Sequence, residues 1–249
     1  MNRILVPTDF SPNSEAGVRF AIQWADRQKT ELVFIHVLNV ARLTRWSDAQ
    51  YAEYAAEQES LCKDEFKQFI TGLYSQLGIQ PGVHAFEIVQ GGSPDLCIVD
   101  YCLKHPDIDC ICISTRGADK AKKLFGTNTG NLITKSPVPV MAVPQNHEGF
   151  GVSTIMYATD LKSFDQELEI VNGFAQPFNA SIDVVHIENN PKTNIFIKSL
   201  ENEIQTKNPD IVVMFTNQKR TLLQKFFQGS RAEELSFRVT KPLLVFNKN

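Results

Sequence analysis

The chain has 249 residues, long enough for one large or two small domains, and its 43% hydrophobic and 21% charged residues are ordinary for a soluble globular protein. The formal net charge of −3 provides no general attraction to nucleic acid, and no apolar run is long enough to span a bilayer. The five cysteines form no CxxC pair and have no histidine at ligand spacing, which favours reduced core thiols over disulfides or a zinc site.

The first elements predict a strand–helix–strand unit. Residues 3–6 form an apolar strand, Ser11 and Pro12 have the composition of a helix start, and residues 31–37 form a second strand. Asp9 lies just past the carboxyl end of the first strand, which is the edge where open α/β sheets bind ligands. From the local sequence alone, a turn or capping role for Asp9 is favoured over a ligand contact. Because Pro7 and Asp9 interrupt the apolar start, no signal peptide is predicted, and a cytoplasmic protein is expected.

The next segment continues the alternation of helices and strands. Residues 49–77 have the periodicity of a long amphipathic helix, and residues 83–89 alternate as a strand. Gly91 and Gly92 precede Ser93, which is the expected N-cap of another helix. These glycines face the ligand edge, although a tight turn is their more frequent use.

A strand, a glycine-bearing basic loop, a helix and a final strand follow. Residues 111–114 are apolar up to the last position, as in a parallel-sheet strand buried on both faces. The loop carries Gly117 and three lysines, and Gly126 precedes Thr127, the expected N-cap of a helix that ends before the strand at residues 138–143. Free N–H groups at such a helix start form an anion site, and glycines let the backbone approach a phosphate.

This stretch resembles the nucleotide-binding signature of the universal stress protein family: Gly, two residues, Gly, nine residues, then Gly followed by Ser or Thr. Ser114 stands at the first glycine, Gly117 at the second, and Gly126 with Thr127 at the closing pair, with eight residues between Gly117 and Gly126. The run ILVPTDFS at residues 4–11 resembles the first strand and loop of that family, whose aspartate contacts the nucleotide.

The resemblance implies a doubly wound, parallel, five-stranded α/β sheet of the adenine nucleotide α-hydrolase-like type. It also implies that ATP, or else AMP or ADP, binds with or without Mg²⁺. Asp9 would contact the ribose or adenine, Val37 and Ile113 would flank the base, and Thr8 would contribute its backbone. The loop and helix start would hold the phosphates. The residues assigned to this site are Pro7, Thr8, Asp9, Val37, Ile113, Ser114, Gly117, Gly126, Thr127 and Asn128.

The pattern starts again after the polar, glycine-rich residues 145–151. Residues 154–160 parallel residues 4–9, with Asp160 in the place of Asp9. Further parallels join 181–187 to 32–37, 210–215 to 109–113, 226–230 to 124–127, and 241–246 to 137–143. Two domains are therefore predicted, a nucleotide-binding domain at residues 1–146 and a shortened, degenerate copy at 152–249.

The second copy has room for only one helix, residues 194–206, between its second and next strands, so it lacks a helix and the middle strand of the first copy. At the glycine positions it carries Thr216 and Lys219, which argue against nucleotide binding there.

Both copies end in an apolar strand, residues 138–143 and 243–246, that would lie at a sheet edge. An exposed apolar edge invites pairing unless it is covered. In the resembled family such strands pair antiparallel across a dimer, so one chain is expected to make this pairing internally, and a further homodimer is left open.

Three classes of function follow. The first is a nucleotide-binding stress or regulatory protein; the second is a scaffold or partner-binding protein whose site has decayed. The third is an enzyme that cleaves ATP between its α- and β-phosphates, which would need an SGG-type loop where residues 7–11 have none. The spacing suggests no catalytic constellation, so any hydrolysis is expected to be slow.

Overall fold

The computed structural model describes residues 1–115, 127–187, 195–217 and 241–248. Its strands are β1 (Arg3–Pro7), β2 (Glu31–Leu38), β3 (His84–Gln90), β4 (Cys110–Thr115), β5 (Val140–Pro144), β6 (Thr154–Thr159), β7 (Ser181–His186), β8 (Ile211–Asn217) and β9 (Leu243–Lys248). Its helices are α1 (Glu15–Gln28), α2 (Asp48–Leu77), α3 (Pro94–Lys104), α4 (Thr127–Lys135), α5 (Phe164–Ala175) and α6 (Ile195–Lys207).

All nine strands form one sheet in the order β3-β2-β1-β4-β5-β9-β8-β6-β7. The first five strands pair only in parallel with one another. β1, β4 and β5 lie inside the sheet, which explains why their sequences are apolar almost without interruption. The predicted doubly wound parallel sheet is therefore confirmed.

The antiparallel ladder between β5 and β9 joins the two parallel parts of the sheet. Met141 lies opposite Leu244, and both side chains are fully buried. The contact predicted between the two apolar terminal strands is thus confirmed within a single chain. It covers both strand edges, which would otherwise present unpaired backbone groups.

Helices cover both faces of the sheet. One face carries a core shared by α1, α2 and α5, and the opposite face carries a second core with residues of α3, α4 and α6. Aromatic contacts connect α1 directly to α5, with the Trp24 and Phe174 rings 5.7 Å apart. The two ends of the sheet are therefore held together by side-chain packing as well as by the β5–β9 ladder.

Helix α1 begins at Glu15, four residues after Ser11, so the predicted start at Ser11 and Pro12 was wrong. The Ser11 backbone N–H and hydroxyl both donate to the Asp9 carboxylate, at 3.1 and 2.6 Å. Phe10 adopts a left-handed conformation with φ of 61°, and Ser14 N–H donates to the Ser11 carbonyl. Asp9 thus draws Ser11 into a turn, and the helix starts only after that turn closes.

The strand order is similar when it is followed from each end of the sheet, because β2-β1-β4-β5 is matched by β7-β6-β8-β9. Within the described ranges, no strand lies between β7 and β8, and α6 is the one helix there. The helix predicted at residues 194–206 thus corresponds to α6. The boundary between two domains remains a prediction.

Candidate functional site

A pocket of about 200 Å³ opens at the carboxyl ends of β1, β2 and β4. Seven of the ten residues that the sequence assigned to the site line it: Pro7, Thr8, Asp9, Val37, Ile113, Ser114 and Asn128. Thr127 is the first residue of α4, whose next residue already lines the pocket. Gly117, Gly126 and the lysines of the basic loop lie outside the described residues. The fold therefore brings together the predicted contributions of four elements at one edge.

Asp9 stands exposed at the mouth of the pocket. Partial burial opposes its ionisation, but hydrogen bonds from Ser11 and Ser14 outweigh this and lower the pKa of Asp9 below its ordinary value. The carboxylate is therefore ionised at neutral pH and can accept hydrogen bonds from hydroxyl or amino groups of a ligand.

Thr8 lines the pocket, but its backbone is already largely occupied. Its N–H donates to the Ile35 carbonyl at 3.0 Å, and its carbonyl lies 2.9 Å from His36 Nδ1. Only the second lone pair of that carbonyl is left for a ligand. The His36 ring stacks on Phe10 with the centroids 4.3 Å apart, so it packs within the wall of the pocket.

Ser114 connects the end of β4 to the start of α1. Its hydroxyl accepts from Gly17 N–H at 2.6 Å and donates to the Ser14 carbonyl at 2.9 Å. Gly17 lies in the first turn of α1, where N–H groups have no partner inside the helix, so Ser114 caps α1 from a distant strand. The hydroxyl thereby stabilises the fold. Because it already makes these two hydrogen bonds, it is less available to a ligand, and its assignment to the ligand site stays a prediction.

Gly17 allows this close approach. A Cβ at this position would lie 2.6 Å from Ser114 N and 2.9 Å from the Ile113 carbonyl carbon, both backbone atoms that cannot move aside alone. Gly91 has a different neighbour, since a Cβ there would meet Cys97 Sγ at 2.2 Å. Gly91 therefore accommodates the packing of α3 beneath the site.

The start of α4 is held by two elements. Thr129 Oγ1 donates to the Ser114 carbonyl at 3.1 Å, and Asn131 Nδ2 donates to Asp95 Oδ2 at 2.8 Å. Asp95 belongs to α3 and is buried, with 4% of its surface exposed. Burial opposes its ionisation, but hydrogen bonds from Ser93 and Asn131 outweigh this and lower the pKa of Asp95.

Sequence reasoning missed several residues of this site. Asn13, Ser14 and Thr129 line the pocket, and Asp95 stands directly behind it. Thr129 and Asp95 lie in the first turns of helices that point at the ligand edge, which was a usable signal. Ser93 was predicted as the N-cap of α3 and occupies that position, but its hydroxyl donates to Asp95 and accepts no hydrogen bond from the helix backbone.

In the described ranges, no three His, Cys, Asp or Glu side chains come together as a metal-binding group. Across those same ranges, no helix combines the length and apolar character needed to cross a bilayer.

The sheet order and the helices on both faces define an α/β protein of the doubly wound class, with a pocket at the carboxyl edge of its sheet. The model of the universal stress protein family matches residues 1–144, more than half of the chain. The chain therefore belongs to the universal stress protein family, as its sequence signature predicted.

Solved structures extend the likeness of fold to the second half. A universal stress protein from Archaeoglobus fulgidus has a TM-score of 0.61 and 15% identity, with 100% of this chain and 97% of that chain covered. A Pseudomonas aeruginosa protein provisionally assigned to the family has a TM-score of 0.61 and 12% identity, with 99% and 93% covered. No curated protein matches the sequence. At these identities the structures show a shared fold over the whole length.

Proposed function

We propose that the protein binds an adenine nucleotide in the pocket at β1, β2 and β4, and acts as a cytoplasmic regulatory or stress-response protein. The observation that carries the proposal is the pocket itself. It combines an ionised acceptor, Asp9, with apolar walls at Val37 and Ile113 and the helix start at Asn128. These groups suit a ribose or adenine edge, a base and a phosphate, respectively.

The phosphate end of the ligand would meet the start of α4. N–H groups at a helix start lack partners in the helix, and the helix dipole adds partial positive charge there. Asn128 lines the pocket at this point, and Thr129 anchors the helix to β4. AMP, ADP or ATP fits this chemistry, and an accompanying Mg²⁺ would be carried by the phosphates, since no metal-binding cluster occurs in the described part of the chain.

We further propose that residues 152–249 are a shortened copy of residues 1–146. Equivalent hydrogen bonds support this. Asp109 accepts from the N–H of Arg3, and Asp210 accepts from the N–H of Thr154, at the start of the corresponding strands β1 and β6. The left-handed residue after the helix repeats as well: Lys29, directly after α1, has φ of 55°, and Asn179, which follows α5 after the short 3-10 helix Gln176–Phe178, has φ of 52°.

Equilibrium dialysis with labelled ATP and AMP tests the binding proposal. The wild-type protein is expected to bind at least one of them, and Gly126→Val is expected to abolish binding, because a branched side chain would fill the space of the phosphate. Gly229→Val, at the corresponding glycine of the second copy, is the matched control and should bind normally. A wild-type protein that binds neither nucleotide would instead favour the scaffold function.

A further inference from the structure

Helices α3 and α4 meet behind the pocket. The first turn of α3 contributes Pro94 to the lining, and the first turn of α4 contributes Asn128 and Thr129. Asp95 follows Pro94 directly, and Asn131 lies one turn beyond the start of α4. The hydrogen bond between Asp95 and Asn131 therefore joins the two helices immediately behind the residues that face a ligand.

Among the described residues, the Asp95 carboxylate has three side-chain partners. Ser93 Oγ donates to Oδ1 at 2.6 Å, Asn131 Nδ2 donates to Oδ2 at 2.8 Å, and Lys135 Nζ lies 3.8 Å from Oδ2. Two of these three partners belong to α4. A buried carboxylate is costly unless it is paired and hydrogen-bonded, so Asp95 penalises any displacement of α4 that separates these groups.

We propose that Asp95 is a positioning residue that fixes the start of α4 against the pocket and thereby makes binding depend on a phosphate group of the ligand. The inference rests on the proposed nucleotide binding and extends it. A helix start binds an anion only when its N–H groups stand within hydrogen-bond distance of the oxygens. A small shift of α4 would therefore weaken the binding of a phosphate while leaving the base and ribose contacts, which come from β1, β2 and β4, in place.

The charge of Asp95 and its proposed positioning of α4 predict opposite effects of one substitution on the affinity for a nucleotide. Asp95 carries negative charge near the phosphate position, so removing the charge alone would strengthen nucleotide binding. Loss of position would weaken it. Asp95→Asn removes the charge and one of the two acceptor oxygens, so the new amide can accept a hydrogen bond from Ser93 or from Asn131 but no longer from both. The direction of the change in affinity for AMP separates the two effects.

The experiment compares the dissociation constants of AMP and adenosine by calorimetry for the full-length protein. Asp95→Asn is expected to weaken AMP binding by about tenfold or more and adenosine binding by less than about twofold. Asp100→Asn is the matched control on α3, because Asp100 is exposed and pairs with Lys104, not with α4, and it should change neither constant. Asn131→Ala removes the same contact from the other side and should reproduce the loss if Asp95→Asn fails to fold.

The exchange of the two partners provides a rescue. In Asp95→Asn with Asn131→Asp, the amide and carboxylate face each other again, and Lys135 stands one turn after the new carboxylate. This double variant is expected to recover AMP affinity. Equal weakening of AMP and adenosine, unchanged AMP affinity, or tighter AMP binding would overturn the inference. A wild-type protein that binds AMP no better than adenosine overturns it too, whereas a wild-type protein that binds neither overturns the proposed function itself.

Discussion

The same kind of backbone turn follows β1 and β6 at the carboxyl edge of the sheet, but the side chains around the two turns differ. After β1, Phe10 N–H donates to Thr8 Oγ1 at 3.1 Å, and Phe10 has φ of 61°. After β6, Leu161 N–H donates to Thr159 Oγ1 at 3.0 Å, and Leu161 has φ of 64°. The same backbone turn therefore follows the first strand of each half.

The difference lies in the side chains that face the turn. Ser114 on β4 and Phe215 on β8 occupy equivalent positions, because β4 pairs with β1 in the same register as β8 pairs with β6. Gly17 and Glu167 are also equivalent when the two helices are counted back from the turns that follow α1 and α5. Phe215 packs against Tyr157 with ring centroids 5.9 Å apart, and the Tyr157 hydroxyl donates to the buried Glu167 carboxylate. Larger side chains thus fill the second edge where small ones stand around the first.

This contrast indicates that the fold and the ligand site depend on different residues. The strand order, the ladders and the turn after the first strand persist in both halves. The pocket requires in addition that a few positions stay small, as at Gly17 and Ser114. Substitutions can separate the two requirements.

The second half should depend on the first for its folding. Residues 153–249 expressed alone would expose Leu244 and Phe174, which β5 and α1 cover in the whole chain. We expect this fragment to aggregate or to unfold without cooperativity in circular dichroism, and to become soluble when residues 1–146 are supplied. A soluble fragment with a cooperative transition would show that the β5–β9 ladder is not required.

The ladder between β5 and β9 should contribute strongly to stability. Leu244→Ala removes a fully buried side chain opposite Met141 and is expected to lower the free energy of unfolding by about 2–5 kcal/mol. Val184→Ala, at a side chain 43% exposed on β7, should cost less than about 0.5 kcal/mol. Urea denaturation measures both, and equal losses would contradict this account of the sheet.

The close approach of α1 to β4 should not tolerate a methyl group. Gly17→Ala would force a Cβ to 2.6 Å from Ser114 N, and we expect a loss of about 1–3 kcal/mol together with weaker nucleotide binding. Gly72→Ala, in α2 with nothing within 4 Å of the added Cβ, should instead stabilise the protein by about 0.5–1 kcal/mol. Stabilisation by both substitutions would mean that Gly17 is not needed for packing.

The smallest expected effect is on the stability contributed by Asp210 at the start of β6, and it depends on pH. Burial opposes ionisation of Asp210, but hydrogen bonds from Ser153 and Thr154 outweigh it and lower the pKa of Asp210. Because the folded pKa is lowered, the stabilisation is present above the unfolded value of about 3.9 and is lost as pH falls through the folded value. Asp210→Asn should therefore be less stable than wild type at pH 7, and the gap should narrow below about pH 4. A gap that stays constant down to pH 2 would contradict this.

Continuous apolar runs made the parallel strands predictable, and the apolar strand at each half's end made the β5–β9 pairing predictable. The start of α1 was not, because the Ser11 and Pro12 pattern of a helix start competes with the bond from Ser11 to Asp9. The local sequence does not indicate whether a helix start or the hydrogen bond from Ser11 to Asp9 forms.

The site was partly predictable for a related reason. Asp9 could be placed because it follows a strand, and Asn128 because it lies at a helix start that the family resemblance assigned to the site. The contacts of Ser114 with Gly17 and of Asp95 with Asn131 join residues 97 and 36 positions apart. Such contacts depend on how helices pack on the sheet, which no local pattern specifies.

The most direct test of the central claim is the number of adenine nucleotides bound per chain at saturation, measured by equilibrium dialysis with AMP and ATP. The account predicts one nucleotide per chain, with weaker binding in Asp9→Ala and unchanged binding in Asp160→Ala, the equivalent position after β6. Two nucleotides per chain, or binding lost in Asp160→Ala and kept in Asp9→Ala, would contradict the assignment of the site to the first half.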